Sequence, residues 1–302
     1  MRLLVAGSNG QLARALAAAP ADPDWRVVTL GRPELDITDR ASIAAALAAH
    51  RPDVVVNAAA WTAVDRAEAE YAAALAVNRD GAGHLAEAAA GAGVPVIHVS
   101  TDYVFSGEGN RPWRESDATA PVNAYGRSKL AGEATVAGAN RRHVILRTAW
   151  LHSPWGANFV TTMLRLARER DELRVVADQT GTPTYAPDLA AAVLAIAARV
   201  VTAGVEAGHW GVVHLTNGGS TSWYGFAEEV FRRAGPVIGR VPRLTAIASA
   251  DYPSPARRPR FSVLDNERAA KVFGVGLRDW RDGVGDCVTA LLRPRGEPGG
   301  SR

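Results

Sequence analysis

The first half of the chain alternates short, continuously apolar runs with longer alanine-rich stretches. The apolar runs have the length of strands and lie at 1–6, 25–30, 53–58, 94–100 and 143–148. Helix-like stretches lie between them, at 11–19, 40–50, 67–93 and 124–138. Strands that are apolar throughout are buried on both faces, so this alternation predicts an α/β fold with a doubly wound parallel sheet. In such a sheet, ligands bind beyond the carboxyl ends of the strands.

The alternation loosens after about residue 150. Helical patterns lie at 159–170, 186–201, 223–235, 265–273 and 281–292, and short strand patterns lie at 173–176 and 211–216. These pieces are too interrupted for a second complete sheet. They predict a smaller C-terminal lobe that covers the ligand crevice at the carboxyl ends of the strands. We therefore expect a sheet domain at 1–150 and a mostly substrate-binding lobe at 151–292, with some segments returning to the sheet domain. The glycine- and proline-rich tail at 293–302 is predicted to be disordered.

Composition and charge narrow the class of partner. The chain has 302 residues, of which 47% are hydrophobic and 22% charged, as in ordinary globular proteins. The net charge is +3, but arginines and acids are interspersed, as in the stretch 165–174, which is typical of a solvated helix face. The sequence shows neither a basic stripe nor stacking aromatics, so a nucleic-acid partner is not expected and an anionic small molecule is favoured.

The sequence carries no sign of export or membrane insertion. The single cysteine, Cys287, excludes an internal disulfide and fits a reducing compartment. We see no signal peptide, and the longest apolar stretch, 189–201, is too short for a span and contains Arg199. We expect a cytoplasmic location.

A glycine turn follows the first predicted strand. Residues 7–13 read GSNGQLA, which has the spacing G-x-x-G-x-x-(G/A) between a strand and a helix. Glycines there allow the backbone to approach a pyrophosphate at the helix N-terminus. The turn predicts a dinucleotide-binding Rossmann domain, with these candidate cofactor residues: Gly7, Ser8, Asn9, Gly10, Gln11 and Leu12. A βα turn that merely needs glycine is the alternative.

The end of the second predicted strand bears on which dinucleotide binds. An acid about 20 residues after the glycine turn usually holds the ribose of NAD. Here the strand ends in Leu30-Gly31-Arg32, and no acid precedes Glu34 and Asp36. Arg32 can meet a 2′-phosphate, which favours NADPH, with NADH also possible. An ordinary surface arginine is the alternative.

Tyr125 and Lys129 stand four residues apart in a chain that almost never uses lysine. Of its 34 basic residues, only Lys129 and Lys271 are lysines. On a helix, positions i and i+4 share a face. An ammonium beside a phenol favours the phenolate and lowers its pKa, and it can also bond a cofactor ribose. The pair predicts an acid–base site, although an amphipathic helix with a solvated lysine gives the same spacing.

A hydroxyl is predicted at the same edge of the sheet. The fourth strand ends in Ser100-Thr101-Asp102, 24 residues before Tyr125. Thr101 can donate a hydrogen bond to a substrate carbonyl that becomes an alkoxide. Nucleotide, proton donor and carbonyl-binding hydroxyl would then converge at one site.

With these residues in place, the chain resembles the extended short-chain dehydrogenase/reductases. It is most similar to the branch that reduces the C4 keto group of dTDP-4-dehydro-L-rhamnose. The resemblance covers almost the whole chain and lies in these motifs: GSNGQL (7–12), LDITD (35–39), NAAAWTAVDRAE (57–68), STDYVFSG (100–107), YGRSKLAGE (125–133), LRTAW (146–150), DQTGTPTYAPDLA (178–190) and RPRFSVLD (258–265).

The resemblance implies roles for individual residues. Tyr125 protonates the C4 oxygen as hydride arrives from the nicotinamide, Lys129 lowers its pKa and holds the ribose, and Thr101 binds the carbonyl. Further positions match cofactor-lining ones: Asp36, Ile37, Ala58, Ala59, Ala60, Trp61 and Thr62. Others match positions that line the sugar pocket: Thr62, Thr101, Asp102, Tyr103, Tyr125 and Trp150. Trp150 could instead be a core residue, and Asp36 could be a helix cap before Arg40.

Three other functions are compatible with the same fold. Related dehydratases carry an Asp-Glu pair after the threonine, whereas Asp102 is followed here by Tyr103, so dehydration is not expected. A 4-ketoreductase of another nucleotide deoxysugar stays open. So does a non-catalytic NADP-binding subunit, because the regulatory subunit of methionine adenosyltransferase resembles the same branch.

No metal site is expected from the sequence. Some members of the branch place acids near the first helix for magnesium at a dimer contact, but 11–19 contains none. The seven histidines are scattered without close pairs. The oligomeric state stays open between monomer and homodimer.

Overall fold

The computed structural model describes residues 1–19, 24–204 and 208–293. Within them, the strands are β1 Arg2–Ala6, β2 Arg26–Leu30, β3 Val54–Asn57, β4 Val96–Thr101, β5 His143–Thr148, β6 Leu151–His152, β7 Glu172–Val176, β8 Thr180–Gly181, β9 Thr184–Tyr185, β10 Gly211–His214, β11 Thr221–Ser222 and β12 Arg243–Ile247.

The helices of the same residues are α1 Gln11–Ala18, α2 Arg40–His50, α3 Val64–Ala69, α4 Tyr71–Leu75, α5 Ala82–Gly91, α6 Ala124–Ala139, α7 Phe159–Glu169, α8 Ala186–Val201, α9 Trp223–Ile238, α10 Glu267–Phe273 and α11 Trp280–Leu292. A π-helical segment, Ala76–Gly81, joins α4 to α5. The predicted helical region 67–93 is therefore several short pieces. None of the described helices is both long and apolar enough to span a membrane.

Six strands of the described chain form one parallel sheet in the order β10-β5-β4-β3-β1-β2. The predicted doubly wound α/β fold is confirmed. From β1 the chain first steps outward to β2, then returns to the other side of β1 as β3. The strand order therefore reverses between β1 and β3, which is where such sheets form their ligand crevice.

Helices cover both faces of this sheet, as the continuously apolar strands require. On one face, α1 and α8 bury leucines and alanines against β1, β3 and β5. On the other face, α2 and α5 supply residues such as Ile43, Leu47 and Leu85. These two cores hold the carboxyl ends of the strands in a fixed register.

A third hydrophobic core lies in the second half of the chain. It contains residues of α7, α9, α11 and β7, including Phe226 and Trp280. The parallel pair β7–β12 lies beside it. From the same half, α8 packs on the main sheet and β10 pairs with β5. A boundary at residue 150 stays a prediction, and the predicted tail, apart from Arg293, lies outside the described residues.

Candidate active site

The glycine turn lies at the point where the strand order reverses. Gly7 has φ +104° and donates its N–H to the carbonyl of Leu30 at 2.7 Å. A Cβ on Gly7 would lie 2.8 Å from the backbone nitrogen of Ala59, so only glycine fits. The turn is thereby pressed against Ala58 and Ala59, the segment that follows β3. Two of the predicted cofactor segments are therefore in direct contact.

The start of α1 suits a phosphate. Its N-cap is Gly10, which has no side chain to bond the first N–H groups, and its first turn contains no acid. Asn9 and Gly10 are exposed. Free N–H groups at the positive end of a helix form a site for an anion. The side chain of Leu12 points into the core, so only its backbone is available to a ligand.

Gln11 connects this turn to the second half of the chain. Its Nε2 donates to the carbonyl of Leu151 at 3.2 Å, and its Oε1 accepts from Ser153 Oγ at 2.8 Å and Asn158 Nδ2 at 3.1 Å. Asn158 also caps α7 through its side chain. The side chain of Gln11 is thus used in joining the two halves, which leaves its backbone for a cofactor.

The end of β2 carries the residues expected to face the nucleotide ribose. Arg32 is exposed just after Leu30, beside the glycine turn. Asp36 accepts from the hydroxyl of Thr38 at 2.7 Å, and this bond, more than the nearby Arg32, lowers the pKa of Asp36. The cap of α2 is Asp39, whose side chain accepts from Ala41, so the helix-cap alternative for Asp36 is wrong. The side chain of Ile37 lies in the core.

Hydrogen bonds from Asn78 hold the segment that follows β3. The Asn78 side chain accepts from the N–H of Trp61 at 2.8 Å and donates to its carbonyl at 3.1 Å. The same amide donates to Ser128 Oγ on α6 at 2.9 Å. Asn78 lies in the π-helical segment, and a Cβ on Gly132 of α6 would collide with its carbonyl. Trp61 is thus tied to α6, while Thr62 beside it is exposed.

The end of β4 supplies three neighbouring polar groups. The hydroxyl of Thr101 donates to Asp102 Oδ1 at 3.0 Å and accepts from the N–H of Tyr103 at 3.1 Å. Asp102 is buried, and burial raises the pKa of its carboxyl to about 6, although the hydroxyls of Ser262 and Thr101 oppose the rise. Its Oδ2 is buried without a hydrogen-bond partner among the described residues.

Helix α6 carries Tyr125 and Lys129 to the same place. Asn123 caps the helix by accepting from the N–H of Gly126 at 2.7 Å. Gly126 packs so closely that a Cβ would collide with the carbonyl of Tyr103. The rings of Tyr103 and Tyr125 meet edge to face, with centroids 5.9 Å apart. Tyr125, Lys129 and the end of β4 therefore share one site.

The pKa of Tyr125 moves in the opposite direction to the sequence-based prediction. Burial raises it to about 12, the hydrogen bond with Thr101 opposes this, and the charge of Asp102 adds to it. Burial of the phenol is the largest cause, and Lys129 Nζ donates to the carbonyl of Val99 at 2.7 Å. Burial also lowers the pKa of Lys129 itself, to about 8.

Trp150 lies at the border of the third core and is half-buried. Its backbone has φ +44°, and its ring stacks on Trp223 with centroids 3.6 Å apart. A Cβ on Gly181 would lie 2.5 Å from the Trp150 ring, so this glycine makes room for the indole. The ring is held rigidly yet keeps part of its surface accessible.

The sequence-based prediction missed a basic cavity beside this edge. A cavity of about 360 Å³ is lined by Gln179, Tyr252, Arg257, Arg258 and Arg260, among others. Arg258 forms an ion pair with Asp65 of α3 at 2.9 Å. The carbonyl of Arg257 accepts from Asn123, the cap of α6. The motif at 258–265 is part of the family resemblance, but one sequence does not reveal which segment of the fold it contacts.

Polar residues inside otherwise apolar strand runs were also missed: Asn57, His98 and Arg147. All three are buried. A polar residue in a buried strand needs a partner, and that need is a usable signal even without a structure. No group of three His, Cys, Asp or Glu side chains that could hold a metal is found in the part of the chain described.

Comparison with known proteins gives one family. A model described as RmlD substrate binding domain matches residues 1–293. Among curated proteins, the chain is 50% identical over 292 residues to dTDP-4-dehydrorhamnose reductase of Sinorhizobium fredii, covering 97% of this chain and 98% of that one. It is also 40% identical over 303 residues to a probable dTDP-4,6-dihydroxy-2-methyloxan-3-one 4-ketoreductase of Streptomyces antibioticus, covering 99% and 98%.

A solved structure extends the likeness to three dimensions. The crystal structure of dTDP-4-dehydrorhamnose reductase from Bacillus anthracis, in complex with NADP, superimposes with a TM-score of 0.86. The match has 32% sequence identity and covers 95% of this chain and 98% of that one.

Proposed function

The chain belongs to the RmlD substrate binding domain family, and from this premise we propose that it reduces dTDP-4-dehydro-L-rhamnose to dTDP-L-rhamnose with NADPH. It is an NAD(P)H-dependent oxidoreductase, as its curated relatives are. The observation that carries the proposal is the meeting of Thr101, Tyr125 and Lys129 at the sheet edge that also holds the glycine turn.

The residues at this edge fit a dinucleotide. Gly7 lets the turn pack tightly against Ala59, and the uncapped start of α1 leaves N–H donors for a pyrophosphate. The exposed position of Arg32 beside the glycine turn supports a contact with a 2′-phosphate, and the relative solved with NADP supports this cofactor. When bound, NADPH supplies the hydride that reduces the keto carbon.

The protein's own groups then deal with the keto oxygen. Tyr125 is protonated at neutral pH and donates its proton to that oxygen as negative charge develops there. The Thr101 hydroxyl turns from Asp102 and donates a hydrogen bond to the same oxygen. The ammonium of Lys129 stabilises the tyrosinate that remains. The position of all three side chains at one edge of the sheet supports these roles.

Other groups suit the rest of the substrate. Asp102 Oδ2, buried and unpartnered among the described residues, can accept from a sugar hydroxyl. Trp150 offers a rigid apolar face to the sugar ring. The basic cavity lined by Arg257, Arg258 and Arg260 suits a diphosphate, because guanidinium groups bind phosphate oxygens in pairs.

A 4-ketoreductase of another deoxysugar is the second candidate. The Streptomyces antibioticus relative favours it, since its printed activity is a 4-ketoreduction of a different dTDP sugar. Both candidates need the same Thr101, Tyr125 and Lys129, and they differ only in the sugar that the pocket accepts.

A coupled assay separates these candidates. Purified protein is mixed with dTDP-4-keto-6-deoxyglucose, with or without the 3,5-epimerase, and oxidation of NADPH and of NADH is followed separately. Oxidation that needs the epimerase and yields dTDP-L-rhamnose supports the proposal. Oxidation without the epimerase supports the second candidate. Binding of NADPH without any oxidation would contradict both and favour a non-catalytic subunit.

A further inference from the structure

A buried histidine lies directly against Lys129. His98 on β4 is fully buried, and its Nε2 lies 3.4 Å from Lys129 Nζ. Its other ring nitrogen, Nδ1, lies 3.1 Å from Nδ2 of Asn57 on the neighbouring strand β3. Asn57 is also buried. The two residues form a short chain of contacts that begins at the sheet and ends at the lysine.

The contacts of Asn57 decide which nitrogen of His98 carries hydrogen. The N–H of Ala59 donates to Asn57 Oδ1 at 3.2 Å, which assigns the amide NH₂ to the side facing His98. An amide nitrogen can only donate, so His98 Nδ1 must accept. Burial, with the charge of Lys129, keeps the pKa of His98 well below its ordinary value, so the ring is neutral. Its one hydrogen is therefore on Nε2, the atom that faces Lys129.

An N–H aimed at a lysine distinguishes the two states of that lysine. An ammonium has three donors and no acceptor, so its N–H groups and the Nε2–H of His98 cannot form a hydrogen bond with each other. A neutral amine has a lone pair and can accept from Nε2–H. The carbonyl of Val99, 2.7 Å from Nζ, accepts from either form. Of the two states, only the amine is matched by both of its neighbours.

We propose that His98 is a positioning residue for the reduction, held by Asn57 as the Nε2–H tautomer so that Lys129 passes between ammonium and amine in place. The inference rests on the proposed function, in which the charge of Lys129 stabilises the Tyr125 phenolate. The lysine is then a group whose charge can change at the pH of the reaction, rather than a permanent cation.

The charged and titratable groups around the lysine come from three elements. On α6 itself, Glu133 lies one turn further along and its charge opposes the lowering of the Lys129 pKa by burial. That carboxylate is bound to Arg147 of β5 at 2.6 Å. His143 of β5 acts on His98 and lowers its pKa further. The titratable group on β4 that contacts the lysine is His98 itself. Its tautomer determines whether Lys129 Nζ meets a hydrogen-bond donor or an acceptor.

A second buried histidine provides the matched control. His214 on β10 has its Nδ1 3.0 Å from the carbonyl of Trp113, which can only accept. Its Nδ1 therefore carries the hydrogen, and its Nε2, 3.4 Å from Nη1 of Arg147, is an acceptor for that cation. The chain thus contains two buried histidines against two buried cations, with opposite tautomers.

The lysine content of the chain makes the test direct. Lys129 and Lys271 are its only lysines, so protein labelled with ¹³C at lysine Cε gives two signals. The Lys271 side chain is 68% exposed and gives the second signal. In the wild type, the Lys129 signal should titrate at about pH 8, clearly below the ordinary range of a lysine.

Two variants act on the same N–H from opposite sides. Asn57→Asp keeps the acceptor for Ala59 but accepts from His98 Nδ1–H, which turns Nε2 into an acceptor. His98→Leu removes the N–H without adding charge. Each should raise the pH at which Lys129 titrates, by roughly one unit for His98→Leu and more for Asn57→Asp. The control His214→Gln should leave this titration where it is.

The outcomes separate this inference from the proposed function. If neither variant moves the Lys129 titration, or if His214→Gln moves it equally, the inference is overturned. In the reduction assay, the alkaline limb of the turnover–pH profile should shift upward with the same variants. A shifted NMR titration in a protein without reductase activity would contradict the proposed function while leaving the His98 contact standing.

Discussion

Two buried carboxylates at the same edge of the sheet have opposite surroundings. Both oxygens of Glu133 are bound, by Arg147 at 2.9 and 2.6 Å and by Ser100 Oγ at 2.5 Å. Asp102 has one oxygen bound to Thr101, and the other lacks a partner among the described residues. A buried charge is costly unless it is paired and hydrogen-bonded.

The difference suggests that Glu133 has a structural role and Asp102 a role in the reaction. Glu133 and Arg147 join α6 to β5, so they hold the helix that carries Tyr125 and Lys129. The burial of Asp102 keeps a net cost, because its carboxyl pKa rises to about 6 even though the hydroxyls of Ser262 and Thr101 oppose the rise. A site that must still bind a substrate is where such a cost is expected. We therefore expect the first pair to determine stability and the second group to determine turnover.

The largest effect should come from removing the proposed proton donor. Tyr125→Phe should lower turnover roughly 10²- to 10⁴-fold, the usual contribution of a positioned acid, while NADPH still binds. Steady-state kinetics and fluorescence titration of NADPH measure the two quantities. Tyr224→Phe on α9 is the control and should retain turnover. Turnover of Tyr125→Phe near the wild-type value would remove this residue from the chemistry.

The next effect concerns the paired carboxylate. Arg147→Met leaves Glu133 buried without its partner and should lower the free energy of unfolding by about 3–5 kcal/mol. Urea denaturation measures it. The control Arg243→Met breaks an exposed pair with Glu172, whose side chains are 74% and 40% accessible, and should cost much less because solvent screens exposed pairs. Equal losses in the two variants would show that burial of the pair has no special role.

The carboxylate of Asp102 should change how the free energy of unfolding depends on pH. The pKa of Asp102 rises from 3.8 to about 6 on folding, so the folded state holds more protons between these values. Its contribution to the free energy of unfolding is therefore greatest below pH 3.8 and is lost as pH rises through about 6. At pH 7, Asp102→Asn should be more stable than wild type by roughly 2–3 kcal/mol. A difference between the two proteins that does not change from pH 3.5 to about 7 would contradict the shift.

The smallest effect concerns cofactor choice. Arg32→Ala should weaken NADPH roughly tenfold more than NADH, because only the 2′-phosphate uses the guanidinium. Comparison of the two dissociation constants measures it. The control Arg40→Ala removes an exposed arginine at the start of α2 and should change the affinities for both cofactors alike. An equal effect of Arg32→Ala on NADPH and NADH would exclude contact with the phosphate.

The parts that could be predicted from sequence are those set by local pattern. Continuously apolar runs predicted the five strands from β1 to β5, and the glycine turn, Thr101 and Tyr125 were each placed at the end of an element. Because parallel strands end at one edge, their meeting follows from the fold class alone. The residue-level roles in the site stay predictions.

Contacts between distant segments could not be read from the chain. The bridge from Gln11 to Ser153 and Asn158, and the ion pair of Asp65 with Arg258, depend on how the second half packs on the first. The predicted direction of the Tyr125 pKa was wrong because burial of the phenol, which depends on the tertiary structure, raises that pKa. Spacing placed Lys129 on the same helix face, but only the tertiary structure shows that its ammonium binds Val99.

The most direct test of this account measures turnover and stability on two variants side by side, Asp102→Asn and Glu133→Gln. We predict that Asp102→Asn is more stable than wild type at pH 7 and turns over more slowly. Glu133→Gln should be less stable, while turnover per folded molecule falls far less than in Asp102→Asn. If Asp102→Asn instead loses stability and keeps full turnover, the assignment of Asp102 to the chemistry and Glu133 to support is contradicted.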